Sequence, residues 1–108
     1  MKPKIIQACE AYSMGEGEKA FPYIAEDVAW HIVGDHTIEG LSEVKKMCAE
    51  AAAEGSPNFK NIRTIEGKHH VICEGANLNA DVYYCDIYTV EDDQITEITS
   101  YCLRALEE

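Results

Sequence analysis

Long apolar runs are missing from this sequence, and so is any concentration of positive charge. No stretch approaches the roughly 20 consecutive apolar residues of a membrane-spanning helix, and Glu10 arrives too early for a secretory signal. A cytoplasmic protein without membrane association is expected. Only 9 Lys and Arg stand against 20 Asp and Glu, a formal net charge of −11, and the acids are spread along the chain. A field of that sign repels phosphate backbones, so nucleic-acid binding is not expected. The five cysteines (Cys9, Cys48, Cys73, Cys85, Cys102) form no C-x-x-C pair and are odd in number. They read as reduced, small core hydrophobes. Metal-ligand spacing is missing as well. Asp35 and His36 share a loop, and His69 and His70 are neighbours in an extended segment, where adjacent side chains point to opposite faces. Neither metal nor cofactor is expected. Repeats, linkers and low-complexity segments are also absent.

What is present suits one globular domain over residues 1–108, with a hydrophobic share of 46%. Ile5, Ala8, Cys9 and Tyr12 recur at helical spacing within Pro3–Met14, and Gly15 and Gly17 end that helix. A short second helix is expected over Glu18–Ala25, then a strand over Val28–Val33 and a loop at Gly34, Asp35 and His36. Leu41, Val44, Met47, Cys48, Ala51 and Ala52 form the stripe of a third helix, with Ser42 as its N-cap, Gly55 at its end and Pro57 beyond. The period then becomes two. Strands are predicted over Phe59–Glu66, His69–Glu74, Asp81–Val90 and Ile95–Leu103, with turns at Gly67-Lys68 and Glu91–Gln94 and a loop containing Gly75, Asn77 and Asn79. Helices followed by a meander indicate an α+β fold.

Three segments carry a resemblance: FPYIAEDVAWHIVG (Phe21–Gly34), Ile38-Glu39-Gly40, and YCDIYTVEDDQITEITSY (Tyr84–Tyr101). In this order and spacing the chain resembles the nuclear transport factor 2-like superfamily, within it the polyketide-cyclase-like (SnoaL) and ketosteroid-isomerase-like branch. The resemblance implies a cone-shaped, strongly curved, mixed or mainly antiparallel sheet closed by three helices from the N-terminal half. It also implies a ligand cavity on one sheet face and a homodimer contact on the other.

Residue by residue, the resemblance transfers poorly. The proton-shuttling acid of ketosteroid isomerases falls on Ile32, and the oxyanion-hole tyrosine near Ala8, with Tyr12 one turn along. Only the second acid is matched, at Asp86. The acid that ends the last strand of polyketide cyclases is missing from Tyr101-Cys102-Leu103. The Asp-Arg-Asp set of epoxide hydrolases is excluded because no arginine lies between Arg63 and Arg104.

Alternation puts Tyr84, Asp86 and Tyr88 on one face and Tyr83, Cys85 and Ile87 on the other; Trp30 and Ile32 share a face opposite His31. The expected pocket is therefore lined by Tyr12, Trp30, Ile32, Tyr84, Asp86, Tyr88, Ile98 and Cys102, with Asp86 and Tyr84 as candidate catalytic groups. The leading expectation is a domain that binds a small apolar molecule. The alternatives are an isomerase, cyclase or dehydratase that moves a proton on a small carbonyl compound with Asp86 as acid, and a non-catalytic dimeric adaptor.

Overall fold

The computed structural model describes residues 1–55 and 58–104. Helix α1 (Pro3–Ser13) begins with Pro3 at its first position, where no acceptor is lost, and buries Ile5, Ala8, Cys9 and Tyr12, the stripe predicted from spacing. Strand β1 (Ile24–Ile32) pairs antiparallel with the short β2 (Thr37–Glu39), and α2 (Leu41–Ala53) follows. Strands β3 (Lys60–Glu66), β4 (His70–Asn77), β5 (Val82–Glu91) and β6 (Gln94–Arg104) form an antiparallel meander. The sheet order is β2-β1-β6-β5-β4-β3, and β1 runs parallel to β6. The sheet is mixed, as expected.

Two expectations about the architecture fail. The sheet is open, with β2 and β3 as its edges. Two α-helices are present among the described residues rather than three. Where a second helix was expected over Glu18–Ala25, single 3₁₀ turns occupy Gly17–Lys19 and Phe21–Tyr23, and β1 starts at Ile24. Pro22 is the reason. It cannot donate to the carbonyl four residues back, so a continuous α-helix through this segment would lose a hydrogen bond there.

Smaller corrections have equally local causes. The three-residue β2 is too short to show alternation and was not predicted. The N-cap of α2 is Gly40 (φ 89°), with no side-chain cap, rather than Ser42. Gly55 does end the helix in the left-handed region (φ 116°); Pro57 lies outside the described residues. Strand β4 continues through Gly75 to Asn77, where a loop was expected.

The core forms between α1, α2 and one sheet face. It includes Ile5, Cys9, Val28, Val44, Val71, Cys73, Tyr88, Ile95 and Ile98. Ile95 and Ile98 both reach it although they are three residues apart, because the β5–β6 register shifts at Thr89/Val90. On β5 the predicted alternation holds: Val82, Tyr84, Asp86, Tyr88 and Val90 are buried, and the residues between them are not.

Gly75 pairs with Tyr84 across β4 and β5, and the Tyr84 side chain lies over it. A methyl group at Gly75 would overlap the Tyr84 ring, its hydroxyl and the Lys60 carbonyl. Gly75→Ala should therefore lower stability by about 2–3 kcal/mol, read as a lower denaturant midpoint at unchanged slope. An unchanged midpoint would contradict this packing.

Candidate functional site

The register places three rows of side chains on the helix-covered face. Ile32, Ser100, Asp86, Cys73 and Thr64 form one row across five strands. Trp30, Ile98, Tyr88 and Val71 form the row on one side, and Cys102, Tyr84 and Gly75 the row on the other. Over the middle row, between α1, α2 and the 3₁₀ turns, lies a cavity of about 650 Å³. Aromatic rings of Tyr12, Phe21, Trp30 and Phe59 line it, together with Ile32, Met47 and Cys48. Asp86, Ser13 and Ser100 supply its inner polar surface.

The cavity explains an oddity of α2. Only Val44 of its apolar stripe is fully buried. Met47, Cys48, Ala51 and Ala52 line the cavity, and Met47 and Cys48 also pack against the edge of the core.

Asp86 is 6% exposed, and none of the ion pairs among the described residues involves it. Burial raises its pKa above the ordinary carboxylate value, and the hydroxyls of Ser100 and Ser13 beside it oppose that rise. Both hydroxyls are held from behind. Trp30 Nε1 donates to Ser100 Oγ at 2.8 Å, and Ser13 Oγ lies 2.6 Å from the Tyr88 hydroxyl. A carboxylate only accepts. Ser100 therefore has its proton free for Asp86, and Ser13 has the same freedom when Tyr88 donates to it. Tyr12 stands edge-on to Trp30 and Tyr88, with ring centroids 5.3 and 6.1 Å away, and accepts a long contact from Cys48 Sγ at 3.9 Å.

Of the eight residues expected at the pocket, Tyr12, Trp30, Ile32 and Asp86 border this cavity. Tyr88 and Ile98 are fully buried beneath the wall, Tyr88 as the partner of Ser13. Tyr84 shares the face of Asp86 but turns away over Gly75 and donates to Asn61 Oδ1 at 3.1 Å. It does not reach the cavity, so its expected role as a catalytic partner of Asp86 loses its geometric basis. Cys102 sits at the exposed end of β6, outside the lining. Phe21, Phe59, Ser13 and Ser100 were missed. Phe21 was read as part of a helix and Phe59 as a strand residue. The two serines carry no signal in a single sequence until the register sets them beside Asp86.

Other chemistry finds little support at this site. Burial raises the pKa of Cys48 and pushes that of Cys73 up to about 12, so neither is a ready thiolate. Among the described residues no group of three His, Cys, Asp or Glu side chains is arranged to hold a metal.

No protein-family model and no curated protein matches the sequence. Solved structures do match. An NTF2-like protein of unknown function from Cytophaga hutchinsonii is 26% identical, with 90% of this chain and 94% of that one covered and a TM-score of 0.80. One from Burkholderia xenovorans is 17% identical over 97% and 87%, with a TM-score of 0.76. A protein with a ketosteroid isomerase-like fold from Catenulispora acidiphila, in complex with trimethylamine, is 17% identical over 94% and 86%, with a TM-score of 0.69. The chain thus has the NTF2-like fold, which it shares with structures described as SnoaL-like, polyketide cyclase and ketosteroid isomerase.

Proposed function

We propose that this chain binds a small, largely apolar molecule in the cavity above Asp86, with the carboxyl as its polar anchor. The observation that carries this reading is the pairing of an aromatic-lined cavity of about 650 Å³ with one buried acid at its base. A volume of that size suits ligands up to drug-like dimensions. The Catenulispora acidiphila protein of similar fold is in complex with trimethylamine, and a small-molecule complex in this fold supports the reading. Asp86→Asn should keep the fold and weaken binding of apolar ligands with a polar group, followed by chemical-shift mapping with a fragment set. Shifts that avoid the Tyr12, Trp30 and Ser100 surroundings would sink the reading.

The raised pKa of Asp86 favours a second reading, proton transfer on a bound carbonyl compound. Ketosteroid isomerisation is not its form. Ile32, at the position of the shuttling acid, faces the cavity two strands from Asp86, a separation of about 10 Å by strand spacing. The chain should therefore leave a Δ5-3-ketosteroid unturned, and Ile32→Asp is the variant expected to restore any activity. Turnover by the wild type would contradict this.

Asp86 also predicts a pH dependence. Its folded-state pKa lies above the unfolded value, so the penalty is absent below the ordinary carboxylate pKa. The penalty grows as pH rises toward the raised value and is constant beyond it. Asp86→Asn removes it. The melting temperature of the variant should match or exceed that of wild type at neutral pH, and this advantage should vanish in acid. A larger advantage in acid would reverse the sign.

We further propose that the chain pairs with a second copy through the other sheet face. Val33, Ile65, Tyr83, Tyr101 and Leu103 are exposed apolar residues of that side of the molecule. Light scattering should give a dimer at micromolar concentration, and Leu103→Lys should shift it to monomer. A monomeric wild type would remove this partner.

A further inference from the structure

Asp86 is a buried acid without a counter-charge, and its neighbours are arranged to serve its ionised form. The Trp30 indole occupies the acceptor side of Ser100, so the Ser100 proton is left for the carboxylate. Tyr88 can hold Ser13 in the same way. Two hydroxyls supply hydrogen bonds but no positive charge. Nothing else at the base of the cavity supplies one either. The two lysines of the lining, Lys19 and Lys45, are exposed at its solvent side. Lys19 pairs with Glu16, and Lys45 sits 5.6 Å from the centre of the Phe21 ring.

Four aromatic rings stand in the remaining wall, with Ile32, Met47 and Cys48 among them. Tyr12, Phe21, Trp30 and Phe59 line the same cavity as Asp86, and aromatic rings attract cations through their faces. The charges of the lining are three carboxyls (Glu16, Glu18, Asp86) against two lysines, within a chain of net charge −11. Such a field concentrates cations and depletes anions around the opening.

Resting on the ligand-binding reading of this cavity, we infer that its ligand is a small organic cation. It is a protonated or quaternary amine with an apolar body, neutralised by Asp86 and packed against Tyr12, Trp30, Phe21 and Phe59. The amine completes a buried ion pair whose anionic half already has the Ser13 and Ser100 hydroxyls beside it. A neutral carbonyl ligand at the base of the cavity would need a donor instead, such as the Tyr12 hydroxyl or a protonated Asp86.

Cyclohexylammonium and cyclohexanone share a ring and differ in the polar group, so they separate the possibilities. Calorimetric or NMR titration of the wild type near neutral pH should favour the ammonium by about tenfold or more. That preference should collapse in Asp86→Asn, whose fold is checked by circular dichroism. The Asp86 carboxyl ¹³C signal of the wild type should move toward its ionised position as cyclohexylammonium is added, a readout that needs no variant. Equal or tighter binding of the ketone overturns the cation and leaves the ligand-binding reading intact. A preference that survives in folded Asp86→Asn, or a stationary carboxyl signal, overturns the role of Asp86. If neither probe binds at millimolar concentration, both readings fall.

Discussion

Desolvation of one carboxyl group is the constraint around which this site is arranged. Asp86 lies in the central row of the helix-covered sheet face, where water is largely excluded and no cationic side chain is paired with it. A carboxyl in such surroundings must find donors, become protonated, or meet a cation. The protein provides the donors. Ser13 comes from the end of α1 and Ser100 from β6, and each is backed by a larger aromatic group. One acid thus links the helix, three strands and four side chains into a single polar cluster at the base of an aromatic-lined cavity.

The cavity exists because the cover over the sheet is incomplete. Pro22 and the glycines before it replace a helix with two short turns, and Met47, Cys48 and two alanines of α2 line the space left over the sheet, Met47 and Cys48 also packing against the edge of the core. Closing that space with another full helix would gain core burial and lose the site. The second polar cluster, where Thr64 and Asn61 meet Glu10 and Tyr84 donates to Asn61, lies outside the cavity lining. It ties β3 to α1 and holds Tyr84 over Gly75, so a tyrosine on the face of Asp86 contributes to strand packing rather than to ligand contact.

Much of the fold was legible from periodicity. The stripes of α1 and α2, the alternation of β5 and the late meander were all visible, because burial on one face imposes a period of 3.6 or 2. Legibility ended where elements are short or where two signals compete. β2 has three residues, too few for a pattern, and the Phe21–Tyr23 turn combines a helix-like apolar spacing with a proline that forbids the helix. Gly75 read as a loop residue because glycine usually punctuates. Here it is a strand position kept bare for the Tyr84 ring.

For the site, the sequence by itself determined that Asp86 shares a face with Tyr84 and Tyr88, that Trp30 shares one with Ile32, and that apolar residues, not acids, stand at Ile32 and Leu103. These follow from residue identity and from the two-residue repeat of a strand. Tertiary structure alone decided which of these residues meet the cavity. Tyr84 is diverted by Gly75, Tyr88 is covered by α1, Cys102 runs past the end of the covering layer, and Ser13, Ser100, Phe21 and Phe59 enter from four separate segments. A strand pattern specifies the face a side chain is on. What covers that face depends on contacts between residues distant in sequence, such as the 75 positions separating Ser13 from Tyr88, and no local signal in the chain encodes them.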